Sequence, residues 1–308
     1  MGLNVGGQAV IEGVMMKSPN YYSIAVRKPD GRITKKTEEY VSLTQKYRVL
    51  GLPFFRGIVS MGEMLRLGIK SLTYSANEST DDEEETLSEW AIFVTIFFSM
   101  AFAILLFVFI PYMVPTLMGV SEEETTLLFN TIAGLMKVMI FVGYVYIISH
   151  MEDIRRVFQN HGAEHMAVNC YESGEKLTVK NVKKYVTYHP RCGTSFIVIV
   201  LLLMIVLFSL IPSLIQALFP SVMEIESFLK NLIFFGIRLM FIPIVAGISY
   251  EVLKLSANYR ENLLMKAVAY PGKLVQGLTT RQPDDSQIKL AITALKEVLK
   301  KEAKKAHV

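Results

Sequence analysis

The chain has 308 residues, 52% hydrophobic against 19% charged, with a formal net charge of +4 and a mean hydropathy of +0.37. Soluble domains carry about 25% charged residues, and here the apolar residues are also clustered. No charged side chain occurs from Trp90 to Val120 or from Cys192 to Met223, which excludes disorder, a coiled coil and an ordinary cytosolic enzyme. An integral membrane protein is expected. Its basic surplus is the kind that such proteins keep on cytoplasmic segments, so nucleic acid is not an expected partner. Two cysteines, Cys170 and Cys192, are too few for a disulfide framework, and the opening residues lack the basic start and apolar core of a signal peptide.

Residues 1–89 read as a small β-containing region followed by an amphipathic helix and an acidic linker. Gly6-Gly7-Gln8 to Met16 is glycine-rich but lacks the ending of a phosphate loop. It reads as a tight bend leading into a buried strand, with Gln8 and Glu12 as polar contributors. Pro29-Asp30-Gly31 marks a turn between two alternating stretches, predicting a β-hairpin. Residues 53–75 have apolar residues at helical spacing, interrupted by Arg56, Glu63, Arg66 and Lys70. That helix is too charged to span readily, so it lies along the inner membrane surface or packs on the bundle, with packing in a soluble core as the bland alternative. The run from Asp81 to Glu85 reads as a solvated linker.

A bilayer core of about 30 Å needs about 20 apolar residues as helix. Residues 90–118, 125–149, 195–219 and 229–250 qualify, with Pro111, Pro115 and Pro212 placed to kink or end the first and third. Lys and Arg number 11 in 1–89, seven in 150–194 and 11 from Glu251 onward, and none occurs in 119–124 or 220–228. Both termini and the 150–194 loop are therefore expected in the cytoplasm. The fold class is mainly α: a polytopic membrane protein with four transmembrane helices in 90–250 and a helical tail in 251–308. That tail holds a helix over 284–305, opened by Asp284-Asp285 and closed by lysines.

Four of the five histidines fall between 150 and 189. His161-Gly162-Ala163-Glu164-His165 puts two imidazoles on one helix face, where both can reach a single ion. Glu164 beside that ion could serve as general base, the arrangement of the inverted zincins. The bland alternative is a polar helix face, and Gly162 weakens a helix by about 1 kcal/mol relative to Ala. His189-Pro190-Arg191-Cys192 precedes the third span. Four ligands from His161, His165, His189 and Cys192 would make a closed, structural zinc site. Three would leave a position for water, with His189, Glu251, Glu152 or Asp153 as candidates for the third. Lys137 and Arg238 lie near mid-span, where a charge costs about 2.5–3.5 kcal/mol on insertion scales. They snorkel or bond carbonyls, or else they line a polar cavity suited to an anion or lipid phosphate. Arg281 in TTRQPDDSQ could pair with a carboxylate or a lipid phosphate. His150 reads as interfacial and His307 as part of a mobile end.

GGQAVIEGVMM, RVFQNHGAEH, HPRCGTSF and TTRQPDDSQIKLAI, in that order, resemble the YqhQ-like family of uncharacterised bacterial membrane proteins. The resemblance runs over essentially the whole chain. It implies a bacterial inner-membrane location and a predicted metal-dependent enzyme centred on His161, Glu164 and His165, with His189 and Cys192 nearby. The leading expectation is a zinc-dependent hydrolase acting on a lipid-linked or membrane-embedded substrate. Its rivals are an oligomeric channel or transporter favouring anions, and a membrane scaffold with a structural metal site.

Overall fold

The computed structural model describes residues 3–80, 88–121, 125–259 and 261–306. The expected acidic linker and His307 lie outside them. Four strands come first: β1 (Gly6–Val10), β2 (Gly13–Lys17), β3 (Tyr21–Arg27) and β4 (Ile33–Glu39). They form one antiparallel meander in chain order. The hairpin expected around Pro29-Asp30-Gly31 is the β3–β4 pair, with Arg27 opposite Ile33. The glycine-rich opening is itself a strand, β1, and the tight bend is the β1–β2 turn, where Glu12 takes a φ of 49°.

β2 is buried on both faces, because alternate side chains enter two different layers. Val14, Met16 and Ala25 meet α6 (Glu152–Glu172) and α11 (Asp285–Ala306), burying Ala163, Met166, Ala167, Ile288, Ala291 and Leu295. Met15, Tyr22, Ile24 and Val26 meet Leu67 of α2 (Phe55–Glu78) on the other face. Each large apolar side chain buried this way contributes roughly 1.5–3 kcal/mol. The sheet is thus the middle layer between helices drawn from three distant parts of the chain. α2 also packs on the membrane helix α9 (Ser227–Asn258), while Leu65, Ile69 and Leu72 remain on its exposed face.

Glu12 ties this unit together. Arg156 of α6 grips it with two hydrogen bonds, one of 2.6 Å from Nη2. Arg27 donates from Nε at 3.2 Å and reaches Ser286 of α11 at 2.6 Å through Nη1. The hydrogen bond from Arg156 holds the Glu12 carboxyl below its usual range, against the opposing effect of burial. A carboxyl with a depressed folded pKa stabilises above its unfolded value of 4.5 and loses that contribution as pH falls through the folded one. Glu12→Gln should therefore lower the melting temperature at pH 7, by a loss of about 1–3 kcal/mol. The gap to wild type should narrow as pH falls below 4.5; a gap that does not change with pH would overturn this account.

Four helices are long and apolar enough to cross a membrane: Trp90–Leu117, Thr126–Ile148, Gly193–Leu218 and Phe228–Asn258. The first comprises α3 (Glu89–Ile104), a π-turn over Leu105–Phe109 and α4 (Ile110–Leu117). The π-turn comes just before Pro111, which has no N–H to donate. α5 (Thr126–Ile148) packs on α8 (Gly193–Leu218), and α8 on α9 through Met204, Phe208, Ile211, Phe234 and Val245. Pro212 is carried within α8 without ending it. A further helix, α10 (Leu263–Thr279), lies against α8. The packing of the sheet on α6 and α11, and of α2 on α9, gathers residues 3–80, 150–192 and 261–306 at one end of the bundle.

Candidate metal centre

α6 presents its chemistry through close backbone contact. A Cβ on Gly162 would lie 2.1 Å from the Arg281 carbonyl oxygen, so the segment after α10 rests directly on the helix. The Arg281 N–H donates to the Phe158 carbonyl at 2.9 Å. The Thr279 carbonyl meets His161 Nδ1 at 2.9 Å, and the Thr187 carbonyl meets His165 Nδ1 at 2.5 Å. A carbonyl oxygen only accepts, so each Nδ1 carries the proton and each Nε2 offers a lone pair. Backbone partners of this kind fix tautomer and ring orientation in metal-binding histidines.

Cys192 stands at the start of α8, accepting from the Thr194 N–H at 3.4 Å. Its Sγ is 3.3 Å from His161 Nε2. Among the described residues, His161, His165 and Cys192 place one ligand atom each within 4.8 Å of one another. Zinc binds nitrogen at about 2.0–2.1 Å and sulfur at about 2.3 Å, so its tetrahedral ligands sit roughly 3.5 Å apart. Two neutral imidazoles and a thiol, oriented by their surroundings, suit that ion with little rearrangement.

Glu164 borders the group, with Oε2 3.4 Å from His165 Nε2. Its carboxylate accepts the Gly7 N–H of β1, and a Cβ on Gly7 would lie 2.7 Å from Glu164 Cγ. The glycine-rich strand is thus part of this site. Burial pushes the Glu164 carboxyl up to about 7, against the lowering pull of the Gly7 N–H and the Arg191 guanidinium. Such a group exchanges a proton readily near neutrality.

Other expected ligands are not brought in. His189 is buried with its ring centroid 5.7 Å from that of His165, and its Nε2 faces Glu172 at 3.6 Å. Gln276 clamps its backbone, accepting from the N–H at 3.1 Å and donating to the carbonyl at 3.0 Å. Glu251 lies within α9, which runs on to Asn258, and is held by Arg56 and the Phe54 N–H. That pairing joins α2 to α9 and removes Glu251 from the ligand set. Glu152 and Asp153 are exposed in the first turn of α6. His150 turns back on the Tyr146 carbonyl at 2.8 Å.

Lys137 and Arg238 are both buried in the bundle. The Lys137 ammonium lies 5.0 Å from the Phe208 ring centre. The Arg238 guanidinium lies 4.6 Å from the Tyr112 ring and 5.8 Å from Phe208, with Nη2 3.5 Å from Asn130 Oδ1. Lys230, unremarked in the sequence, is buried too. Asn160 was also missed. It is fully buried one turn before Glu164, and its amide has no hydrogen-bond partner among the described residues. Its place on the same helix face as Glu164, one turn earlier, was the available signal.

Comparison with known proteins places this arrangement in a lineage. The pattern of the family described as "Protein of unknown function (DUF1385)" matches residues 52–301. The chain is 33% identical over 318 aligned positions to "Uncharacterized protein YqhQ" of Bacillus subtilis (strain 168), covering 97% of this chain and 93% of that one. No solved structure matches. Residues 52–301 include α6, the Cys192 turn and the strap over Gly162; the chain belongs to the DUF1385 family.

Proposed function

We propose that this protein is a metal-dependent hydrolase of lipid-linked or membrane-embedded substrates, with its site at the inner face of a bacterial cytoplasmic membrane. One observation carries the reading: two imidazoles with fixed Nδ1 protons and one thiol converge beside a buried carboxyl. Three protein ligands leave one position of a tetrahedral ion open, as in catalytic rather than structural zinc sites. When bound, zinc supplies Lewis acidity and a water acidic enough to ionise near neutral pH. Beside such an ion, the Glu164 carboxyl would be the group that accepts a proton and gives it up again. The Gly7 N–H orients the carboxylate, and Thr279 and Thr187 hold the two rings.

The membrane assignment of the substrate rests on Cys192, which opens the third span. The inner-face assignment rests on the Lys and Arg residues of the segments gathered at this end. Detergent-purified wild type should contain about one zinc per chain by elemental mass spectrometry. His161→Ala should lose it. A wild type without metal after reconstitution with zinc or manganese would remove the basis of this reading. An anion-conducting oligomer is the second reading, favoured by the burial of Lys137 and Arg238. It ranks behind because an aromatic face meets each cation, Phe208 at Lys137 and Tyr112 at Arg238, and it predicts that Arg238→Glu alters anion flux in proteoliposomes.

A further inference from the structure

A cavity of about 790 Å³ lies between α6, residues 185–190, the end of α9 and α10. Residues 185–190 separate it from the metal centre. The Thr187 carbonyl holds His165 on one side, while Tyr185, Val186, Tyr188 and Pro190 line the cavity on the other.

The charges around this cavity are uneven. Glu172 is the one acid among its described lining residues, and Arg191 and His189 already engage it. Across from it, α10 contributes Lys266 and Lys273, seven residues apart and so on one helix face. Lys273 lies over the Tyr188 ring at 5.4 Å. Lys266 pairs at 3.1 Å with Glu261, whose side chain is 96% exposed, and such surface pairs contribute little. Both lysines are exposed at the cavity's edge, and the unbalanced charge they bring to it is positive.

The rim is apolar. Leu263, Leu264, Tyr270 and Leu274 of α10 are all exposed, beside the end of a helix long enough to span a bilayer. Lysines next to an exposed apolar stripe are the mark of a helix lying in the headgroup layer. Ser256, near the end of the fourth span, lines the cavity, so the cavity opens at that depth.

We infer that this cavity binds the phosphate group of an anionic amphiphile, with Lys266 and Lys273 as its cationic contacts and the exposed stripe of α10 against its acyl chains. Binding there does not depend on the metal. Its assignment as the headgroup pocket of the hydrolase's own substrate rests on the proposed function.

The test uses the full chain in detergent micelles and measures retention of dioleoyl phosphatidic acid by native mass spectrometry. Dioleoyl phosphatidylcholine and inorganic phosphate are the comparison ligands, and zinc is measured on the same samples. Wild type should retain phosphatidic acid over phosphatidylcholine. Lys266→Gln with Lys273→Gln should weaken that retention about thirtyfold. Lys300→Gln with Lys301→Gln, on α11, should leave it unchanged, and Arg at both cavity positions should preserve it. Displacement by millimolar inorganic phosphate would support the anion site and assign it to free phosphate. Retention unaltered by the double Gln variant, or phosphatidylcholine bound as tightly, would overturn the inference. Zinc kept alongside lysine-independent lipid binding would sink this site alone; lysine-dependent binding without zinc would sink the metal reading alone.

Discussion

Gly162→Ala should destabilise the protein by about 3 kcal/mol and strip the metal centre of its geometry. The sign is the informative part. In an exposed helix interior the same change stabilises by about 1 kcal/mol, because Ala orders at less entropic cost. Here the new methyl would sit 2.1 Å from the Arg281 carbonyl oxygen and 3.2 Å from Thr187 Cγ2. A backbone atom cannot swing aside as a side-chain tip can. The strap must lift from α6, which breaks the Arg281 N–H bond to Phe158 and withdraws the Thr279 carbonyl from His161. Thermal unfolding in detergent, paired with zinc content, measures both consequences. A variant as stable as wild type, or more so, would show that the strap is not docked as described.

The second large effect separates ligand from base. Cys192→Ala removes one of the three proposed ligands and should weaken zinc binding roughly a hundredfold or more. A hundredfold corresponds to about 2.7 kcal/mol. Glu164→Gln should leave zinc affinity within a few-fold of wild type, because Glu164 stands beside His165 Nε2 as a proton acceptor. It should also leave stability unchanged or improved, since the carboxylate is poorly solvated where it lies. Chelator competition on the purified variants gives both affinities. Equal losses in the two variants would make Glu164 a fourth ligand and the site a closed, structural one.

These predictions draw on different layers of information. The four spans, their shared end and the helix over 284–305 follow from composition and periodicity, because a bilayer imposes length and hydrophobicity on any segment that crosses it. The hairpin around Gly31 follows from turn chemistry. The His161–His165 face follows from the helical repeat alone. Glu12 was visible only as a polar residue in a glycine-rich opening; its partners are 15 and 144 residues away.

Other features required long-range packing. The sequence offered His189, Glu251, Glu152 or Asp153 as a third ligand and Cys192 only within a closed set of four, yet it is the Cys192 Sγ that reaches His161, 31 residues away. Glu251 was equally eligible by charge and location, yet Arg56, 195 residues away, holds it. Gly162 looked like a weakness in a helix and proves to be the place where a carbonyl 119 positions later comes to rest. Helical and span periodicities are local, so a sequence states them directly. Which carbonyl orients which imidazole depends on contacts between α6, the 185–190 segment and the end of α10, and tertiary packing alone made those choices.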